Sequence, residues 1–144
     1  MKSRNKLRVC VLSLSLACAC ALVQAQDVVI IANKSLSFSQ ITSAQLRDIF
    51  IGARSQFADG TRAIPTVLKG GPVHEVFLRN HVQDNPDEFR VRWRKVVFTG
   101  QGAMLKEFTS ESALFEYVVA TPGAIGYVSR VSDPSAVRVL TVEH

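Results

Sequence analysis

The chain has 144 residues, 47% of them hydrophobic, with 17 basic and 12 acidic side chains and a formal charge of +5. Four of the basic residues, Lys2, Arg4, Lys6 and Arg8, precede the apolar run Val9–Val23. Without those four the remaining 13 basic residues face 12 acids, a net charge of +1, which excludes charge-driven binding of nucleic acid.

The basic, apolar and small-residue order ending at Val23-Gln24-Ala25 reads as a secretory signal peptide over residues 1–25, removed after Ala25. Its apolar run of ~15 residues is shorter than the ~20 needed to span a bilayer. A retained anchor, or a lipoprotein acylated at Cys18 or Cys20, is the alternative. The three cysteines, Cys10, Cys18 and Cys20, all lie in this segment, so the expected domain, residues 26–144, has no disulfide and no thiolate ligand. Its expected location is the periplasm.

Asp27 to Ala32 is a continuous apolar run of strand length, suited to the interior of a sheet. Asn33 to Gln40 is polar and serine-rich and reads as a loop. Thr42 with Gln45 forms a capping box, after which Leu46, Ile49 and Phe50 recur at helical spacing up to Gly52. Asp59-Gly60 is turn chemistry, and Ala63 to Leu68 is a second strand, with Pro65 placing its start late or near an edge.

Lys69-Gly70-Gly71 then leads into a helix with Pro72 at its first position. Asn85-Pro86-Asp87-Glu88 opens another helix, with a cap, a proline at N1 and two acids facing the dipole. Phe89, Trp93, Val96 and Val97 give it an apolar face. Thr99-Gly100-Gln101-Gly102 breaks it, and a short strand follows within Leu105 to Phe108. Ser110-Glu111 opens a helix that Thr121-Pro122-Gly123 stops. Ala124 to Val128 is a buried strand in which Gly126 leaves room for a close approach, and Val137 to Val142 closes the chain. Strands alternating with helices predict an α/β fold, a mixed sheet flanked by helices.

In such sheets ligands gather beyond the carboxyl ends of the strands. Lys69, Gly70 and Gly71 form the first candidate site there: bare amides at a helix start attract an anion, and Lys69 adds a charge. Thr99, Gly100, Gln101 and Gly102 form the second, an amide-lined loop. From spacing alone each is more readily a plain turn. His74 and His81 lie seven apart on one helix face and read as an exposed pair, with no third ligand for a metal. Arg90, Arg94 and Lys95 form a basic helix edge with Arg92 pointing elsewhere, read as a solvated face. Ser129 and Ser132 have no nearby base, and no nucleophile elbow, zinc-protease or phosphate-loop motif occurs. A non-enzymatic binder without cofactor or metal is the expectation.

Thr121-Pro122-Gly123-Ala124-Ile125-Gly126-Tyr127 resembles a segment of the phosphate-binding proteins of ABC transporters. Ile41 to Gly52, Ala63 to Gly71 and Phe98 to Gly102 are similar to that family's first helix, phosphate-holding turn and next glycine loop. The resemblance covers most of residues 27–130 and implies one lobe of a type II periplasmic-binding-protein-like fold. It departs at the turn, where Val67, Gly71 and Val73 replace the family's Arg, Ser and Thr ligands, leaving amides and Lys69. Two functions follow. One is weak binding of phosphate or a related oxyanion in ABC-type transport or its sensing, completed by a homodimer or a membrane transporter or sensor partner. The other is an interaction module that kept the fold and lost the ligand.

Overall fold

The apolar runs separate cleanly into strands and the 3–4 spaced ones into helices. The computed structural model describes residues 27–101 and 105–144; the expected signal segment and Gly102 lie outside them. The strands are β1 (Val29–Ala32), β2 (Gln40–Thr42), β3 (Ile64–Leu68), β4 (Lys106–Phe108), β5 (Ala124–Val128) and β6 (Arg138–Glu143). The helices are α1 (Ser43–Phe50), α2 (Pro72–Phe77), α3 (Pro86–Phe98) and α4 (Glu111–Ala120). The sheet order is β2-β6-β1-β5-β3-β4.

β1 runs antiparallel to both of its neighbours, β5 and β6, while β2–β6, β3–β5 and β3–β4 are parallel. Only β1 is therefore reversed, and the other strands finish on one edge of the sheet. The loops after β3, β4 and β5 meet there. Being interior explains composition: Ile30, Ile31 and Ala32 of β1 and all five residues of β5 are buried, as continuous apolar strands require. Pro65 is compatible with β3 because β4 pairs only from Thr66 onward, so the strand is still an edge on that side at Pro65.

Caps set the helix starts. Thr42 and Gln45 complete a capping box on α1, and Asn85 and Glu88 complete one on α3. Ser110 caps α4 by accepting from the Ala113 amide. Three expectations change. The polar stretch after β1 is partly structural: the Asn33 side-chain amide donates to the Val118 and Val119 carbonyls, both at 2.8 Å, satisfying the end of α4. Its last residue, Gln40, begins a strand, β2. The helix from Pro72 keeps α geometry only to Phe77 and continues as a π-helical turn, Leu78–Val82, closed by Gln83 in the left-handed region at φ 63°.

The core is apolar and aromatic. Phe77 stacks on Tyr127 with ring centroids 3.9 Å apart, and Phe50 meets Phe77 edge-on at 4.7 Å. Trp93 is buried, and its indole N–H donates to the Phe50 carbonyl at 2.6 Å, tying α3 to the end of α1. Val97, expected on that apolar face, is instead exposed, as is Phe98 beside it at 91%. The elements that approach Gly126 are side chains: a Cβ there would overlap Thr66 Oγ1 and lie 2.8 Å from Leu114 Cδ2.

Candidate anion-binding cleft

β3 delivers Lys69 to the carboxyl edge of the sheet, where the Lys69 amide donates to Phe108 of β4 at 2.9 Å. Gly70 and Gly71 follow, both exposed with open space around them. Gly71 has φ 94°, a conformation that favours glycine, and starts α2 with no side-chain cap. This turn therefore has the properties expected of it, an uncapped helix start beside a lysine.

The second expected loop has the opposite polarity. The Thr99, Gly100 and Gln101 amides donate to the Lys95, Val97 and Val96 carbonyls at 3.0, 3.1 and 3.1 Å. They close the carboxyl end of α3, whose dipole is negative. Thr99, Gly100 and Gln101 consequently offer no backbone donors to an anion, and the structure does not bring them to Lys69. Gln101 instead borders a separate cavity of about 300 Å³ with Arg54 and Arg62.

Lys69 opens onto a cleft of about 380 Å³ between β3, β4 and α3. Arg90, Arg94, His74 and Glu107 also line it. The two arginines were read from the sequence as a solvated face. The signal that could have placed them is their position: each follows directly on an inward aromatic, Phe89 or Trp93, at the margin of the apolar stripe. Arg92 does point elsewhere, donating to Asp84 at 2.9 and 3.0 Å.

The histidine pair is a correction. His74 is buried, and its Nδ1 lies 2.5 Å from the Tyr127 hydroxyl, which accepts from the Leu68 amide at 3.0 Å. Burial pushes the His74 pKa below its ordinary value, Glu75 acts in the opposite sense, and Arg90 adds to the lowering. His81, half-buried on the π-helical turn, stacks near Phe77 and is likewise lowered, chiefly by burial. Burial also drives the Tyr127 pKa far up, so its phenol stays protonated. Among the described residues no three His, Cys, Asp or Glu side chains gather as a metal site.

Ser129, expected to stand alone, is bonded to a carboxylate. Glu111 accepts from its amide at 2.6 Å and from its hydroxyl at 2.8 Å. That contact ties the start of α4 to the end of β5.

The mixed sheet with helices on its faces and an open turn at its carboxyl edge has the fold of part of several larger solved structures. A Clostridium perfringens protein assigned as a phosphate ABC transporter substrate-binding protein, with bound phosphate, superposes with a TM-score of 0.64 and 16% identity, over 80% of this chain and 44% of that one. An ABC-type phosphate transport receptor from Vibrio cholerae gives 0.57 and 16%, over 80% and 45%, and PstS from Borrelia burgdorferi gives 0.56 and 14%, over 80% and 46%. The chain thus spans less than half the length of these structures, and at this identity the likeness establishes the fold alone. No family model and no curated protein matches the sequence. Among the described residues no helix is long and apolar enough to cross a membrane.

Proposed function

We propose that this chain is an exported solute-binding domain that holds phosphate or a related oxyanion weakly, in connection with ABC-type transport or its sensing. In this reading residues 1–25 are a cleaved signal peptide and residues 26–144 work in the periplasm. The observation that carries the proposal is the uncapped Lys69-Gly70-Gly71 turn at the carboxyl edge of β3, in a fold whose solved neighbour holds phosphate. Its amides supply the donors and Lys69 a point charge. One domain leaves the far side of the ligand in water, where charged hydrogen bonds weaken, so the expected dissociation constant is ~0.1 mM or poorer. A second copy or a membrane partner would close that side.

Titration calorimetry with phosphate and sulfate tests this. Lys69→Glu should abolish the heat of binding while leaving the melting temperature nearly unchanged, because Lys69 is exposed. Gly71→Pro should also weaken binding by removing a donor. Equal heats from wild type and Lys69→Glu would remove the turn from the site. The second reading, an interaction module without ligand, draws on the exposed Val91 and Phe98 of α3, and silence from every anion would favour it.

A further inference from the structure

The cleft beside Lys69 is not built like a site for an inorganic ion. Its volume of about 380 Å³ falls at the small end of organic-ligand pockets, ~300–1,000 Å³, and far exceeds what a tetrahedral oxyanion needs. Val67, Leu68, Phe89, Trp93 and Leu105 give it apolar walls. Three cations, Lys69, Arg90 and Arg94, face it against one acid, Glu107. Arg90 is shared with the exposed Asp87 at 3.3 Å, while Lys69 and Arg94 make no ion pair among the described residues.

His74, only 5% exposed, also lines the cleft. Its Nδ1 lies against the Tyr127 hydroxyl, which accepts from the Leu68 amide. Its ring therefore adds a polar group to the wall of the cleft beside the three cations.

We propose that this cleft binds an organic anion with an apolar body, a carboxylate or phosphate monoester carrying an aromatic or medium-length aliphatic group. The charged group meets Lys69 and Arg94, and the body packs against Phe89, Trp93 and Leu105. The proposal rests on the solute-binding reading but not on the Gly70-Gly71 amides.

Trp93 is the only tryptophan of the chain and lines the cleft, so its emission reports occupancy directly. The purified protein is titrated with phenyl phosphate, octanoate, octanol and inorganic phosphate, with fluorescence and calorimetry in parallel. A saturable change with phenyl phosphate or octanoate is expected, the stronger of the two identifying the head group. Arg94→Ala should weaken it at least tenfold, and Lys34→Ala, remote and exposed, should not. Octanol binding as well as octanoate, or an Arg94→Ala protein that binds as tightly as wild type, would overturn the anion assignment. Binding of inorganic phosphate alone would overturn this proposal and leave the Gly70-Gly71 site standing. Absence of binding by all four would overturn both.

Discussion

Gly126 shows how one missing side chain organises three elements. It pairs with Ile31 of β1, while Thr66 of β3 and Leu114 of α4 fill the space over its α-carbon. The Thr66 hydroxyl lies there because it donates to the Ile125 carbonyl at 2.9 Å. A side chain at this position must displace that hydroxyl or the Leu114 methyl, and both belong to fully buried residues. Gly126→Val should therefore lower stability by about 1–3 kcal/mol through overpacking, read as a fall in denaturation midpoint at constant slope. An unchanged midpoint would mean that α4 and β3 do not close over β5 as described. Gly123 has a related but stricter requirement: its φ is 80°, and a Cβ would run into the Arg62 carbonyl oxygen.

At the scale of elements, boundaries depend on caps. In α3 the Asn85 side chain accepts from the Asp87 and Glu88 amides at 3.1 and 2.9 Å, and the Glu88 side chain accepts from the Asn85 amide. Asn85→Ala strips two donors of their partner and should cost ~1 kcal/mol, measurable by chemical denaturation. A cost indistinguishable from zero would show that Pro86 alone fixes this start. Such signals are local, which is why the starts of α1, α3 and α4 were legible in the residues. β2 was not, because Gln40-Ile41-Thr42 has one apolar residue and becomes a strand only by pairing with the distant Thr141, Val142 and Glu143. The π-helical turn was hidden for a similar reason: Leu78 and Val82 are both fully buried, and tertiary packing rather than periodicity decides the local winding. At the candidate site the Lys69 turn was readable as a strand-to-helix junction. The contribution of Arg90, Arg94 and His74 was not, since it requires α3 to lie across β3 and β4.

For the molecule as a whole, the two lowered histidines give stability a definite pH dependence. In the folded protein His74 and His81 take up protons less readily than the unfolded chain, whose histidines titrate near 6.5. Below that value the unfolded state binds more protons, so stability is fully present above it and declines as pH falls toward the folded values. The carboxylates lowered by hydrogen bonds, Asp59 from Thr61 and Asp133 from Ser135, act only at more acidic pH, near the ordinary carboxylate range. Melting temperature should thus drop between pH 7 and 5 before any carboxylate contributes. The double variant His74→Gln, His81→Gln should flatten this part of the profile. A wild-type profile that is already flat would mean both imidazoles remain accessible to protons in the fold.

The reversed strand β1 carries a consequence for how the chain is made. Ile30 is flanked by Tyr127 of β5 and Leu140 of β6, so the earliest strand waits for the two latest before either of its edges is covered. Such long sequence separations defer closure of the sheet, because loop entropy is lost before the pairing rewards it. During synthesis Ile30 and Ile31 wait without their final partners. A chain halted before β6 leaves one edge of β1 bare, so Ile30 and Ile31 stay open to pairing with a strand of another molecule.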